Sequence, residues 1–297
     1  MTSAVTLLTA PIKIPLRFSP SRHRVQVIGR RAIVTQLTPT TSLLRSEKRA
    51  DNEVYLLGTA HVSAASSAEV ADLIRLVNPE TVFVELDSGR AAELRRSGSS
   101  QTFDLSTNPM FSGGGLPGPF ASLANMPQMK PVFDFMKSVP SLLKRTGVFS
   151  PMGSDMKTAL YEADRIGARC VYGDIEFDQT IRDLKGSINA TLSDPSLLTN
   201  LRQPESELLS IFQDILTGRR NPSDVIEEVK TRKHAIQMSS YLKQSFPPIH
   251  HIMVGKRDEH MAKVLHRDCS SGKVVAVVGL AHIDGIEREW AKLDASK

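Results

Sequence analysis

A chain of 297 residues with 40% apolar and 23% charged side chains is long enough to enclose a sizeable core. Its net charge of +5 is unevenly spread: residues 1–50 carry nine basic side chains against Glu47 alone, so the chain from Asp51 onward is mildly acidic. That distribution, without interleaved aromatic and basic residues, argues against nucleic-acid binding, and two cysteines, Cys170 and Cys269, are too few for a disulfide scaffold or a cysteine-based zinc site.

The first 46 residues hold no acidic side chain, are rich in Ser and Thr, and collect their arginines after position 16. This is the composition of an organelle transit peptide. The opening twelve residues are uncharged and interrupted at Pro11, unlike the Arg-bearing amphipathic helix of mitochondrial leaders, so plastid (chloroplast) targeting is expected, with the mitochondrion as the alternative. Residues 1–50 are therefore expected to be disordered and removable, and the folded domain to span 51–297.

Glu53 to Leu57 reads as the first strand of that domain. Ser66-Ser67-Ala68-Glu69 has the pattern of a capping box, opening a helix with Val70, Leu73, Ile74 and Val77 on one face. Asn78-Pro79 ends the helix, and Thr81 to Val84 forms a strand without polar alternation, as in a sheet covered on both faces. Residues 97–153, rich in Ser, Gly, Pro and Met, read as a mobile insertion. Gly113 to Gly118 formally satisfies G-x-G-x-x-G, but no strand precedes it, and Pro117 and Pro119 oppose a following helix, so dinucleotide binding is not inferred. A helix near Asp155 to Ile166 and a strand at Arg169 to Tyr172 come next. Helical stretches are expected near Glu205 to Leu216, Ser223 to Leu242 and Arg257 to Leu265, ahead of a last strand, Val274 to Val278. The fold class is α/β, a central and mostly parallel sheet flanked by helices. No apolar run approaches the roughly 20 residues of a membrane-spanning helix.

Chemistry concentrates at the ends of these strands. Gly58-Thr59-Ala60-His61 follows the first strand and Gly279-Leu280-Ala281-His282 the last. Glu85 and Asp87 follow the second, and Gly173-Asp174 the third. Ligands of open α/β sheets bind at the carboxyl ends of the strands, where parallel strands would gather all four sets. Two histidines and a carboxylate can hold a divalent metal with positions left open, making His61, His282 and Glu85 the candidate ligands and Glu85 alternatively the general base. The same set describes a non-haem iron oxygenase. The plainer readings are an ion pair of Glu85 with Arg90 and a turn cap for Asp174. Arg182 and Arg257 could clamp a substrate carboxylate or phosphate. A shared site requires the first and last strands to lie close, with aligned carboxyl ends.

At these residues the chain resembles the TraB family, related to the bacterial pheromone-shutdown proteins and the TIKI-type metalloproteases. The match comprises Leu57 to Ser63, Val84-Glu85-Leu86-Asp87 with Arg90, Gly173-Asp174 with Thr180 and Arg182, Arg257-Asp258 with Met261, and Val277 to His282 with Gly285-Ile286. The resemblance implies an α/β fold carrying a metal-dependent peptidase site formed by His61, His282 and Glu85, a divalent ion (Mn, Co or Zn) as cofactor and a peptide as substrate. A non-catalytic interaction protein retaining the fold is the alternative. The chain departs from the family in having Lys256 where an acid commonly precedes Arg-Asp, and Ala281 where a glycine often precedes the second histidine.

Overall fold

The computed structural model describes residues 24–28, 32–60, 64–96, 153–193 and 222–296, with isolated positions between 207 and 220. Seven strands form one mixed sheet in the order β1-β2-β3-β4-β7-β5-β6. β1 (Arg24–Ile28), β2 (Ala32–Gln36), β3 (Thr41–Ser46) and β4 (Arg49–Thr59) make an antiparallel meander. Beyond β4 all pairing is parallel: β7 (Lys273–Gly279) lies between β4 and β5 (Thr81–Val84), and β6 (Arg169–Tyr172) forms the far edge.

The central strands are apolar throughout because both faces are covered. On one face α1 (Ala64–Val77) and α3 (Ser154–Ile166) set Val70, Ile74, Met156 and Leu160 against Leu57, Val82, Val84, Val275 and Val277. On the other, α8 (Lys256–Asp268) and α9 (Ile283–Ser296) set Met261, Leu265, Ile286 and Trp290 against Leu56, Phe83, Val274, Ala276 and Val278. Residues 274 to 278 thus alternate between two cores, as the period of two in a strand requires. The remaining α-helices among the described residues are α2 (Ser88–Arg96), α4 (Phe177–Ser193), α5 (Pro222–Val229), α6 (Arg232–Ser245) and α7 (Pro247–His250).

The chain after β4 and after β5 passes to the α1 face, whereas the chain after β7, which lies between them, passes to the α9 face. Neighbouring strands whose continuations part to opposite faces leave a crevice beyond their carboxyl ends. Two glycines make that edge compact. A Cβ on Gly58 would lie 2.2 Å from Ile283 Cδ1, and one on Gly173 would lie 1.8 Å from the Phe83 ring.

The α/β class and the strands at 81–84 and 169–172 agree with the sequence reading. The domain boundary does not. The stretch expected to be disordered up to residue 50 includes β1, β2 and β3, and Val34 and Leu44 are buried in the core with Trp290. Two hydrogen bonds, the first of them buried, anchor β3: Ser46 Oγ donates to Asp294 at 2.7 Å, and Arg232 Nη2 donates to Ser42 Oγ at 2.5 Å. The acid-free composition belongs partly to a sheet edge and not wholly to a leader.

Smaller differences have local causes. α1 starts at Ala64, and Ser66 Oγ accepts from the Ala60 amide at 3.2 Å, tying the strand-to-helix turn instead of capping the helix. Asn78, with φ of 48°, closes α1 in the left-handed conformation that Asn tolerates. The helix expected over 223–242 is broken into α5 and α6 because Thr231 caps the second, accepting from the His234 amide. Cys269 is buried, which pushes its thiol up to about 12, while Cys170 is only half-buried. Residues 1–23, the insertion over 97–152, His61 and most of Glu205 to Leu216 lie outside the described residues.

Candidate functional site

β7 brings the second Gly-x-x-His turn between the ends of β4 and β5. Its pairing with β4 runs from Glu53 opposite Lys273 to Thr59 opposite Gly279, so the two Gly-x-x-His motifs leave adjacent parallel strands one residue out of step. Glu85 emerges from β5 on the other side of β7 and is fixed there twice. Its amide donates to Val277 O at 3.1 Å, and its Oε2 accepts from the Gly279 amide at 2.5 Å.

His282 is buried at the end of the 3₁₀ turn Leu280–His282. Its Nδ1 lies 2.6 Å from Asp258 Oδ1, and its Nε2 lies 3.3 Å from Glu85 Oε1. A carboxylate on Nδ1 holds the proton there and turns Nε2 toward the crevice. Burial alone would depress the imidazole pKa, but Glu85 and Asp258 reverse this and raise it to about 9. Burial likewise pushes Asp258 up, against the pull of His282. Asp258 reaches this position because Gly285 on α9 has no side chain: a Cβ there would stand 1.8 Å from Asp258 Oδ2.

Arg257 joins the two sides of the site. It donates through Nε and Nη2 to both oxygens of Asp174, at 3.0 and 2.7 Å, and through Nη2 also to Glu85. Its Nη1 lies 3.2 Å from His282 Nε2. Burial works against its charge, yet Glu85 and Asp174 raise its pKa, so it stays a cation. Arg90 completes the array by donating to Asp87 at 2.5 Å and to Asp174 at 2.6 Å. Asp87 also caps α2 by accepting from the Arg90 amide at 2.9 Å. Its burial raises the carboxyl pKa, but the Arg90 amide and guanidinium outweigh that and hold it below the usual range.

Arg257 and Asp258 stand in the first turn of α8, which is preceded by a π-helical turn, His251–Gly255. A π turn changes the angular register of the helix that follows, and such turns recur at functional sites. Consecutive residues consequently serve two partners, Arg257 the carboxylates and Asp258 the histidine.

The structure therefore brings Glu85, Arg257 and His282 together with Asp174. Glu85 pairs with Arg257, not with Arg90. Asp174 does accept from the next amide, that of Ile175, at 2.8 Å, but it is chiefly the bridge between two arginines. Arg182 is exposed on α4 and makes no ion pair with the cluster among the described residues. Lys256, the departure from the family pattern, pairs with Asp183 at 2.6 Å. Asp258 was not assigned a role from sequence. Its place beside Arg257 in a matched motif was the available signal.

The model of the TraB/PrgY/gumN family matches residues 43–297. The chain belongs to this family. TraB/PrgY/gumN relatives include the human TraB domain-containing protein, 24% identical over 81% of the chain and 63% of its own length. The mouse TraB domain-containing protein is 23% identical over the same shares. An uncharacterized protein of Methanocaldococcus jannaschii is 28% identical over 82% of the chain and 54% of its own length. The chain thus spans between half and two thirds of the length of these relatives. The family match begins at residue 43, within β3, in accord with a folded domain that starts before residue 51.

Proposed function

We propose that this TraB/PrgY/gumN protein is a metal-dependent peptidase whose divalent ion is held by His282, Glu85 and His61. The observation that carries the reading is the triad Asp258–His282–Glu85. Two atoms that share an ion at about 2.0–2.2 Å each stand roughly 3–3.5 Å apart, and Glu85 Oε1 and His282 Nε2 are separated by 3.3 Å. Asp258 on Nδ1 is the kind of outer partner that orients a metal-binding imidazole. Among the described residues no group of three such side chains converges closely enough to hold an ion. The third ligand in this proposal is His61, two positions beyond the end of β4 in the sequence.

A divalent ion held there would supply a Lewis acid for a carbonyl and lower the pKa of water. The chain's own residues then have distinct tasks. Glu85 would hold the ion through Oε1 while the Gly279 amide fixes its Oε2, Arg257 would place a fixed cation where charge builds on a carbonyl oxygen, and Asp258 would keep the Nδ1 proton of His282. One observation favours a second reading. Arg257 already neutralises Glu85 and Asp174, a closed network that suits a non-catalytic interaction protein retaining the fold. Residues 1–23 are proposed to be a plastid leader, with the mitochondrion as runner-up; a reporter fused to residues 1–60 should enter plastids, and a diffuse cytosolic signal would reject both.

The test is metal analysis of the purified chain with activity on a quenched fluorescent peptide library under Mn, Co or Zn. Bound metal near one equivalent and hydrolysis, both lost in His61→Ala/His282→Ala and hydrolysis lost in Glu85→Gln, are expected. Metal without turnover would favour the interaction reading, and iron-dependent oxygen uptake an oxygenase.

A further inference from the structure

β6 is the edge of the sheet nearest the candidate site, and only β5 pairs with it among the described residues. Its Arg169 amide donates to Glu80 O at 2.9 Å, and the Gly173 amide that follows it donates to Val84 O at 3.0 Å. In a parallel ladder the amide and carbonyl of one residue point to the same side, and successive residues alternate. Residues 169, 171 and 173 therefore face β5, and Cys170 and Tyr172 direct their amides and carbonyls outward. Two donors and two acceptors spaced two residues apart form a template for another extended backbone.

Among the described residues no strand covers that outer edge. A cavity of about 360 Å³ lies along it, lined by the strand together with Asp268, Asp87, Asp174 and Glu176. The strand's carboxyl end leads to Asp174, which grips the same Arg257 as Glu85. Asp268, beside Arg169 at the amino end, pairs with Arg267, and Asp87 and Asp174 are held by Arg90 and Arg257, so among the described residues the uncompensated acid on this path is Glu176, at the end near the site. Glu176 there is exposed and has no ion-pair partner among the described residues.

We propose that β6 is the docking rail for the peptide substrate, which adds to the sheet as a further strand, with a Lys or Arg side chain toward Glu176 and its backbone continuing past Asp174 toward Glu85 and His282. This rests on the peptidase reading for the meaning of the bound peptide, but not for the binding itself. Main-chain pairing gives affinity with little demand on sequence, and the acidic end supplies the preference for a basic segment.

The experiment measures fluorescence anisotropy of a labelled, end-capped decapeptide of alternating Lys and Val with the metal-free full-length chain. Saturable binding is expected, weakened at least tenfold when alternate peptide amides are N-methylated and when Glu replaces Lys. Tyr172→Pro removes an outward amide and leaves the β5 ladder intact, so it should cost a similar factor with an unchanged denaturation midpoint. The N-methylated peptide requires no variant, so a Tyr172→Pro chain that fails to fold leaves the test decisive. Binding without hydrolysis in any metal would overturn the peptidase reading alone. Hydrolysis indifferent to N-methylation would overturn the rail alone. A concentration-dependent dimer by analytical ultracentrifugation that Tyr172→Pro dissociates would place a second copy on the edge and overturn the proposal.

Discussion

Asp258 sets the orientation of His282 by direct contact with Nδ1, and Gly285 leaves the room that Asp258 occupies. A methyl on Gly285 cannot coexist with the Asp258 carboxylate in its present place, because the two would approach to 1.8 Å. Gly285→Ala should therefore displace Asp258 and weaken the proposed metal binding as Asp258→Asn would. Loss of an outer partner of a metal-binding histidine costs about 10- to 100-fold in metal affinity, and calorimetric titration of both variants with Mn or Zn should show that loss together. A Gly285→Ala chain with full affinity would mean that Asp258 does not orient the imidazole. The apo chain offers a second check at the same residue. The His282 pKa is raised from 6.5 to about 9 in the fold, so its charged contacts stabilise fully below 6.5, and that contribution fades as pH rises through about 9. Urea midpoints of the metal-free chain should fall between pH 7 and 10, and His282→Gln should flatten that slope. These contacts were only half legible in the sequence. Glu85 and His282 stood at strand ends, where chemistry is expected, whereas Asp258 lies 24 positions before His282, on a helix whose register a π turn resets.

At the scale of elements, readability followed burial. β5, β6 and β7 are short apolar runs bounded by turn residues, and each was placed within one residue of its observed limits. The antiparallel strands were missed because Thr41–Ser46 and its neighbours are built of Ser, Thr, Arg and scattered aliphatics, a composition shared with leaders. Close approach at the sheet edge was not readable at all, since it depends on what the fold sets opposite a glycine. Two glycines test this. At Gly173 a Cβ would enter the buried Phe83 ring, so Gly173→Ala should cost about 1–3 kcal/mol, the usual range for overpacking. Gly186, exposed on α4, has nothing within 4 Å of the same position, so Gly186→Ala should add about 0.5–1 kcal/mol through helix propensity alone. Guanidinium denaturation of the two variants should move the midpoint in opposite directions, and a shared direction would contradict the packing argument.

For the whole molecule the decisive boundary is the one that composition misplaced. A chain beginning at Asp51 loses β1, β2 and β3 and the first two residues of β4. Val34, Leu43 and Leu44 go with them, each a buried side chain worth roughly 1.5–3 kcal/mol. The loss also leaves Asp294 without its bond from Ser46 and Arg232 without its bond to Ser42. Set against a typical domain stability of about 5–15 kcal/mol, that removes most of the margin. It also converts β4 from an internal strand into an open edge beside the candidate site, where unpaired backbone invites association between chains. The truncated chain should thus show lost or strongly lowered cooperative melting and higher-order species on gel filtration, while a chain beginning at Arg24 should melt as the full-length protein does. Equal melting of the Asp51 truncation and the full chain would mean that the meander contributes nothing to the domain, and the core shared by Leu44 and Trp290 would have to be reconsidered.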